Sequence, residues 1–489
     1  DSLLRGMGAG VSGRSVHALD RDSDWSNIRV TVAGLGVAGY SCADALMQLG
    51  AIVTVIDDHD TDRQAERAEV LRMLGVQVFL GGGVPLPAET DVLVVSPGLK
   101  PHASLINGAI AEGVPVWGEL ELAWRLRART GAAEWLCVTG TNGKTTSTLM
   151  LESMLRASGA RTVAAGNIGN PLVDVVMHDE LDAIAIEVGA PQLPFVHSMS
   201  PLAAVCLNFA DDHLDHFGAR DQYFLAKSRI FHNCRIAAVY DVDEPATRRM
   251  VEQADVIEGC RAIGITKGVP SVGMLGVVED LIVDRAFIAE RAESAQELAA
   301  LSDIRPLVEH NVSNALGAAA LARAYGVEAQ AVRDGLRSFE PAAHRIAEVG
   351  EFAGIRYVDD SKATNAHAAA TSLRSYESVV WIGGGLAKGQ RFDELVSEVA
   401  NRLRAAVLVG SDAGEIADAM RRHAPDVPVI IVERTDTGAM SEAVAAARER
   451  ALPGDVVLLA PGCASWDMFD DYSHRGRAFV EAVLESAAR

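Results

Sequence analysis

Residues Thr139–Thr146 read TGTNGKTT, and what stands on either side of them decides the fold. The apolar run Trp135-Leu136-Cys137-Val138 precedes them, and Ser147–Ala157 carries a helical pattern after them. Strand, glycine-bearing turn, Lys-Thr and helix is the layout of a phosphate-binding loop. Gly140 and Gly143, with Thr141 and Asn142 between, let the backbone turn N–H groups toward an anion, and the helix start adds its positive dipole end. Lys144 is placed to neutralise β/γ-phosphate charge and the Thr145 hydroxyl to ligate Mg²⁺, with Thr146 counted among the nucleotide-binding residues of the motif. The general pattern asks for Gly at 138, where Val138 stands. An ordinary glycine turn with a solvated lysine is the bland alternative, and it leaves the strand and helix on the correct sides unexplained.

The bulk properties narrow the class. At 489 residues the chain has room for about three domains. A net charge of −22 disfavours nucleic acid or an anionic membrane as the main partner. An acidic chain acting on anionic substrates must concentrate its positive charge locally. No apolar stretch of about 20 residues is present, so no membrane span is expected. The scattered cysteines at 42, 137, 206, 234, 260 and 463 form no C-x-x-C and read as free thiols of a reducing, cytoplasmic setting. Residues 1–27, rich in Gly, Ser and Asp, read as a disordered tail.

Upstream of the phosphate loop, Ile28–Ala33 is a β-rich run that enters Gly34-Leu35-Gly36-Val37-Ala38-Gly39. A helical pattern follows to about Leu49, then a second strand, Ala51–Ile56, ends at Asp57. This is G-x-G-x-x-G inside a βαβ unit, with an acid placed to bond a ribose. NAD is the obvious ligand, but a UDP-sugar satisfies the same physics. Asp91–Ser96 is a further strand, and its Ser96-Pro97-Gly98 turn falls at the same sheet edge.

Downstream, Ala165–Pro171 (AGNIGNP) is a turn carrying Asn167. The strand Asp182–Val188 carries Glu187 near its end, where an acid is either a cap or, beside a phosphate loop, a Mg²⁺ ligand. Ala203–Gly218 breaks into Asp211, Asp212, His213, Asp215 and His216, either a solvated acidic turn or a second divalent-metal site. Lys227 lies in a probable helix and alone suggests a surface ion pair. Tyr240–Arg305 offers short strands and no chemistry, and Asn311 stands where it could cap a helix or bond a purine. Beyond Pro341, strands recur at Tyr357–Asp360, Ser378–Gly385, Ala405–Gly410, Val427–Glu433 and Asp455–Pro461, with helical stretches at 391–404, 437–450 and 474–487. That is a doubly wound α/β domain whose strand ends carry Asp360, Lys362, Lys388 and Ser465. Lys388, between glycines, is either a loop cation or a carboxylate clamp.

Two nucleotide-type α/β domains around a phosphate-loop ATPase domain is an unusual order. With GLGVAGYS, SPG, TGTNGKTT, GNIGNP, DHLD, PAAHR, DDSKATN and PGCASWDMF, the sequence resembles the Mur ligases of peptidoglycan synthesis from Ile28 onward. DSKATN (Asp360–Asn365) points to the member that adds D-glutamate to UDP-N-acetylmuramoyl-L-alanine. The resemblance implies three domains: a Rossmann-like UDP-sugar domain over 28–118, a central ATP-binding domain over 119–341 and a C-terminal Rossmann-like amino-acid domain over 342–489. It implies a monomer using ATP and two Mg²⁺ sites. The alanyl carboxylate attacks the γ-phosphate, and the D-glutamate amine displaces phosphate from the acyl phosphate.

Residue by residue, the resemblance assigns Lys144 to the β/γ-phosphates and Thr145 to the first Mg²⁺. Glu187 and His213 take the second, supported by Lys227 as a carbamate. Asn311 contacts adenine, while Arg345 and Asp360 reach ATP from the C-terminal domain. Gly34, Gly36, Gly39, Asp57, Ser96 and Gly98 hold UDP, and Asn167 the muramoyl-alanine part. Lys362, Thr364, Lys388, Ser465 and Tyr472 line the D-glutamate pocket. Three departures stand out. Gly189-Ala190-Pro191-Gln192-Leu193 replaces a family Ser-Ser-Phe-Gln-Leu, Asp58-His59 replaces a common Thr-Arg, and Tyr472 replaces a common Phe. Competing readings are a different Mur ligase, an NAD oxidoreductase resting on GLGVAG, and a non-catalytic relative resting on the altered GAPQL loop.

Overall fold

The computed structural model describes residues 16–487 apart from 179, 213 and 342, with the backbone alone for Asp215. Each of the three expected domains contains one sheet. By compactness the chain divides into two units: residues up to Gly140 with Leu155–Gly264 and Ala320–Val327, and Thr141–Met154 with Ile265–Ala319 and Glu328 onward.

In the first unit, β1 (Arg29–Ala33), β2 (Ile52–Asp57), β3 (Gln77–Leu80), β4 (Val92–Val95) and β5 (Val116–Gly118) are all parallel, in the order β3-β2-β1-β4-β5. Their Val-rich runs are buried at Val30, Val32, Val55, Val92 and Val94, as strands covered on both faces require. The chain leaves β1 for β2 on one side and reaches β4 on the other. The order therefore reverses between β1 and β4, where an open parallel sheet binds ligands. The Gly34–Gly39 turn and the Ser96-Pro97-Gly98 turn leave from those two strands.

The same unit holds β6 (Glu134–Thr139), β7 (Thr162–Gly166), β8 (Ala183–Glu187), β9 (Ala203–Cys206) and β10 (Ala237–Asp241). They run parallel in the order β7-β8-β6-β9-β10, with β11 (Arg261–Ile265) outside β10. β6 is central, and register sets Val138 opposite Glu187 and Thr139 opposite Cys206. The phosphate loop thus leaves the sheet at its own order reversal.

In the second unit, β12 (Met274–Val278), β13 (Leu281–Asp284) and β14 (Gln296–Ala300) form an antiparallel meander, the organisation behind the weakly patterned 240–305 stretch. β15 (Ala347–Phe352), β16 (Ile355–Asp359), β17 (Val379–Gly384), β18 (Leu403–Val409), β19 (Val429–Ile431) and β20 (Val456–Leu459) lie in the order β15-β16-β20-β17-β18-β19. Only β15 is antiparallel among them. Insertion of β20 between β16 and β17 brings three polar strand ends to one edge.

Several expectations need correction. The tail was expected to be disordered through Asn27. Residues 1–15 lie outside the described residues, but Trp25 is buried in the first core and its indole N–H donates to the Asp20 carbonyl at 2.9 Å. The 391–404 stretch is a short helix, Asp393–Val399, a 3-10 turn and then β18, because Leu403 onward is an almost continuously buried run of β-forming residues. Asn311 does not cap a helix. The helix begins at Glu309, and the Asn311 amide lies inside its first turn, donating to the Pro306 carbonyl at 3.0 Å. Lys227, read alone as a surface cation, is 1 % exposed.

Candidate active site

In the first unit the glycine turn is held by its own backbone. Gly34 adopts φ +96°, and its N–H donates to the Ile56 carbonyl at 2.8 Å. A Cβ on Gly39 would stand 1.8 Å from the Gly34 carbonyl oxygen, so only glycine lets the helix Val37–Gln48 start this close to β1. The Ser96 hydroxyl donates to that same carbonyl at 3.0 Å. Gly36 and Gly98 have open space where a Cβ would be. Asp57, expected at a ribose, is buried and braces the turn: it accepts the Leu35 N–H at 2.5 Å and the His59 N–H at 2.8 Å. Arg67 donates to the Leu35 carbonyl at 3.0 Å and so brings a cation to the same turn.

Beside the phosphate strand, the Asn167 amide donates to the buried Glu187 carboxylate at 2.8 Å, and its backbone N–H to the Glu187 carbonyl at 2.9 Å. Lys227 sits with its Nζ 4.9 Å from the Tyr223 ring, which stacks on Phe209. Two described members of the acidic cluster have separate partners. Asp211 turns outward to Arg220 at 2.6 Å, His216 packs on Phe217, and His213 lies outside the described residues. Among the described residues no group of three or more His, Cys, Asp or Glu side chains is assembled as a metal site.

In the second unit the helix Lys144–Ala157 begins at the loop lysine, whose Nζ donates to the Thr141 carbonyl at 2.9 Å. Gly143 has φ +82°, and a Cβ there would lie 2.1 Å from Asn314 Oδ1. Asn314 is buried, and its amide donates to Asn311 Oδ1 at 3.0 Å. Asn142 Nδ2 lies 2.6 Å from His367 Nδ1. Arg345 donates to the Thr145 hydroxyl at 2.7 Å from a turn whose flanking residues, His344 and Ile346, have φ of +63° and +46°. Left-handed non-glycine residues on both sides of Arg345 are strained, and such strain gathers where a side chain must be aimed. His344 is pinned by Asp359 at 2.6 Å. Burial first, then the Arg374 and Arg345 charges, push His310 down to about 4, so positive charge collects here despite the acidic chain. Asp360 accepts from Ser372 Oγ and from the Ile346 N–H, and burial pushes its carboxyl up to about 7.

At the three adjoining strand ends, Lys362 Nζ lies 3.9 Å from the Tyr472 ring centre and Lys388 Nζ 3.7 Å from that of Trp466. Burial opposes it, yet the Lys362 charge and hydrogen bond bring the Tyr472 phenol below its ordinary value. Ser465 is buried, and Thr364 follows Lys362 in a tight turn, donating its N–H to the Lys362 carbonyl at 2.8 Å. Arg475, fully buried, ties these loops together by donating to Ser361 and to the Cys463 carbonyl.

Comparison with known proteins places this geometry in a family. Models of the MurD-like N-terminal domain, the Mur ligase middle domain and the Mur ligase glutamate ligase domain match residues 28–118, 138–322 and 344–463. The chain belongs to the Mur ligase family. A relative from Streptomyces coelicolor named UDP-N-acetylmuramoylalanine–D-glutamate ligase is 55% identical over 95% of this chain and 100% of its own. The UDP-N-acetylmuramate–alanine ligase of Thermotoga maritima has a similar fold, with TM-score 0.54 and 18% identity over 94% of this chain and 100% of that one. The MurF ligase of Thermotoga maritima, solved with ADP, gives TM-score 0.53 and 17% identity over 97% and 99%. Among the described residues of this Mur ligase no helix is long and apolar enough to cross a membrane.

Four residues with structural roles at these loops escape sequence reasoning: Arg67, Glu119, Asn314 and Arg475. Each lies in a helix with no motif of its own. A charged or amide residue amid an apolar helical face was the available signal for Glu119 and Arg475.

Proposed function

We propose that this chain joins the amine of D-glutamate to the alanyl carboxylate of UDP-N-acetylmuramoyl-L-alanine at the expense of ATP. The observation that carries the reading is full-length identity of 50–55% to three relatives bearing that ligase name. The domain division 28–118, 119–341 and 342–489 follows from it, supported by one sheet in each. A monomer acting in the cytoplasm belongs to the same reading.

The donor set fits ATP and magnesium. Gly143 turns the loop at φ +82° with no room for a Cβ against Asn314, and the Thr145 hydroxyl and Glu187 carboxylate are hard oxygen donors of the kind Mg²⁺ takes. ATP with its metal supplies the phosphoryl group and offsets its charge. Gly140, Thr141, Asn142, Gly143 and Thr146 present loop N–H groups and hydroxyls to the phosphates, with Lys144 as the neutralising cation. Glu187 and His213 would hold a second metal ion, which would offset the charge of the acceptor carboxylate. Lys227, buried as it is, loses an awkward cation and gains an anion if its amine adds CO₂. Asn311, Arg345 and Asp360 serve the nucleoside end. Gly34, Gly36, Gly39, Asp57, Ser96 and Gly98 hold the UDP end, with Asp57 acting by bracing the turn. Asn167 meets the muramoyl-alanine chain. Lys362, Thr364, Lys388, Ser465 and Tyr472 receive D-glutamate, whose two carboxylates need the two lysines.

ADP release with UDP-N-acetylmuramoyl-L-alanine and a panel of amino acids tests the reading. D-glutamate should be preferred; a clear preference for L-alanine, L-lysine or diaminopimelate would overturn it.

A further inference from the structure

Glu119 opens the helix Glu119–Leu126 directly after β5 and is 3 % exposed. A buried carboxyl outside the catalytic set needs a reason. Its two oxygens face two different loops. Oε1 accepts the Leu172 N–H at 3.0 Å, at the end of the Asn167–Pro171 turn. Oε2 accepts from the Gln192 amide at 3.4 Å, in the Gly189–Gln192 turn. The other end of that amide, Gln192 Oε1, accepts the Gly189 N–H at 2.8 Å. Gly189 in turn packs against Asn167, whose Oδ1 would be 3.4 Å from a Cβ there.

The chain Leu172–Glu119–Gln192–Gly189 thus closes around the Asn167 amide, which is bonded to Glu187. In this sequence the turn after Glu187 reads Gly-Ala-Pro-Gln-Leu and carries no hydroxyl to fasten it. Beside its backbone bonds, Gln192 and, behind it, Glu119 fasten it through their side chains. Asp174, on the helix Leu172–His178, bonds Ser41 of the nucleotide-turn helix at 2.9 Å, and it and Cys42 are the ionisable groups facing Glu119 from the neighbouring helices. Burial, with Asp174 adding to it, pushes the Glu119 carboxyl up to about 7 against the pull of Leu172 and Gln192.

We infer that Glu119 is a positioning residue for the UDP-muramoyl substrate, fixing through Leu172 and Gln192 the two turns that present Asn167. The inference rests on the proposed role of Asn167. It predicts a selective effect. Glu119→Gln keeps shape but sets amide against amide at Gln192. KM for UDP-N-acetylmuramoyl-L-alanine should rise about tenfold, the cost of one hydrogen bond, with kcat and the KM values for ATP and D-glutamate within about twofold. The double variant Glu119→Gln/Gln192→Glu reverses donor and acceptor and should restore that KM to within about threefold. Gln192→Met, with Glu119 intact, should give the same selective rise and serves if Glu119→Gln does not fold. An unchanged KM in these variants, or a parallel shift of all three KM values without rescue in the double variant, overturns the inference while leaving the activity standing. A wild-type protein that releases no ADP with these substrates overturns the functional reading itself.

Discussion

The two glycine turns of this Mur ligase are shaped by different means. At Gly34–Gly39, backbone presses on backbone, and a buried carboxylate, Asp57, fastens the turn from behind. At Gly143, the obstacle is the end of a side chain, Asn314 Oδ1, while Lys144 supplies charge. In the second unit, Arg345 adds a further cation at Thr145. The first turn suits a diphosphate that is only held, for which N–H groups and a fixed shape are enough. The second suits a phosphoryl group whose charge shifts during reaction, where fixed cations contribute most.

That contrast is most exposed by removing charge from the second turn. Lys144→Ala should lower kcat by roughly 10²- to 10³-fold or more, with little change in KM for the UDP substrate, measured as ADP release. A loss confined to KM would mean that the two turns do the same work. Lys227→Ala should also lose most activity, and short-chain carboxylic acids should restore part of it. Full activity without them would remove the carbamate role.

The glycines distinguish the turns more finely. Gly39→Ala forces a methyl onto a carbonyl oxygen at 1.8 Å, and no side-chain change can relieve it. It should destabilise the first unit by several kcal/mol and weaken UDP binding. Gly143→Ala collides with Asn314 alone, leaving backbone strain of about 1–2 kcal/mol at its positive φ. Adding Asn314→Ala should therefore recover part of the activity of Gly143→Ala, measured as ADP release, and no second-site truncation should rescue Gly39→Ala. Equal rescue at both sites would erase the distinction.

The parts legible in the sequence were those whose chemistry is local. Gly-x-Gly-x-x-Gly and TGTNGKTT each lie within one strand-turn-helix, so spacing alone placed them at sheet edges. DDSKATN, GGGLAKG and PGCASWD were readable as strand ends, yet their adjacency was not, because it depends on β20 entering between β16 and β17. Lys227 looked like a surface cation until the Phe209–Tyr223 stack enclosed it. Arg67, Glu119, Asn314 and Arg475 act across long stretches of chain from ordinary helical patterns, and no periodicity marks that. The antiparallel β12–β14 strands were faint because they are short and only partly buried.

The smallest effect expected concerns two buried carboxyls, one in each unit. Glu119 and Asp360 are each pushed up to about 7, by burial first, from ordinary values of 4.5 and 3.8. A carboxyl whose folded value is raised binds its proton more tightly when native. Its contribution to stability is complete below the unfolded value and is lost as pH rises through about 7. Carboxyls such as Asp455 run the other way: hydrogen bonds to Arg404 and Ser378 outweigh burial, and their contribution is lost on acidification. Total stability mixes both, so the useful quantity is a difference between proteins. Glu119→Gln cannot ionise. Its loss of the Gln192 bond is a constant offset, but relative to wild type it should gain stability between about pH 5 and 8, by at most a few kcal/mol. Asp360→Asn should show the same sign over a slightly wider acid range, since its unfolded value is lower. Melting temperatures across that range are the measurement. Profiles that stay parallel to wild type would mean that these carboxyls keep ordinary values in the native protein.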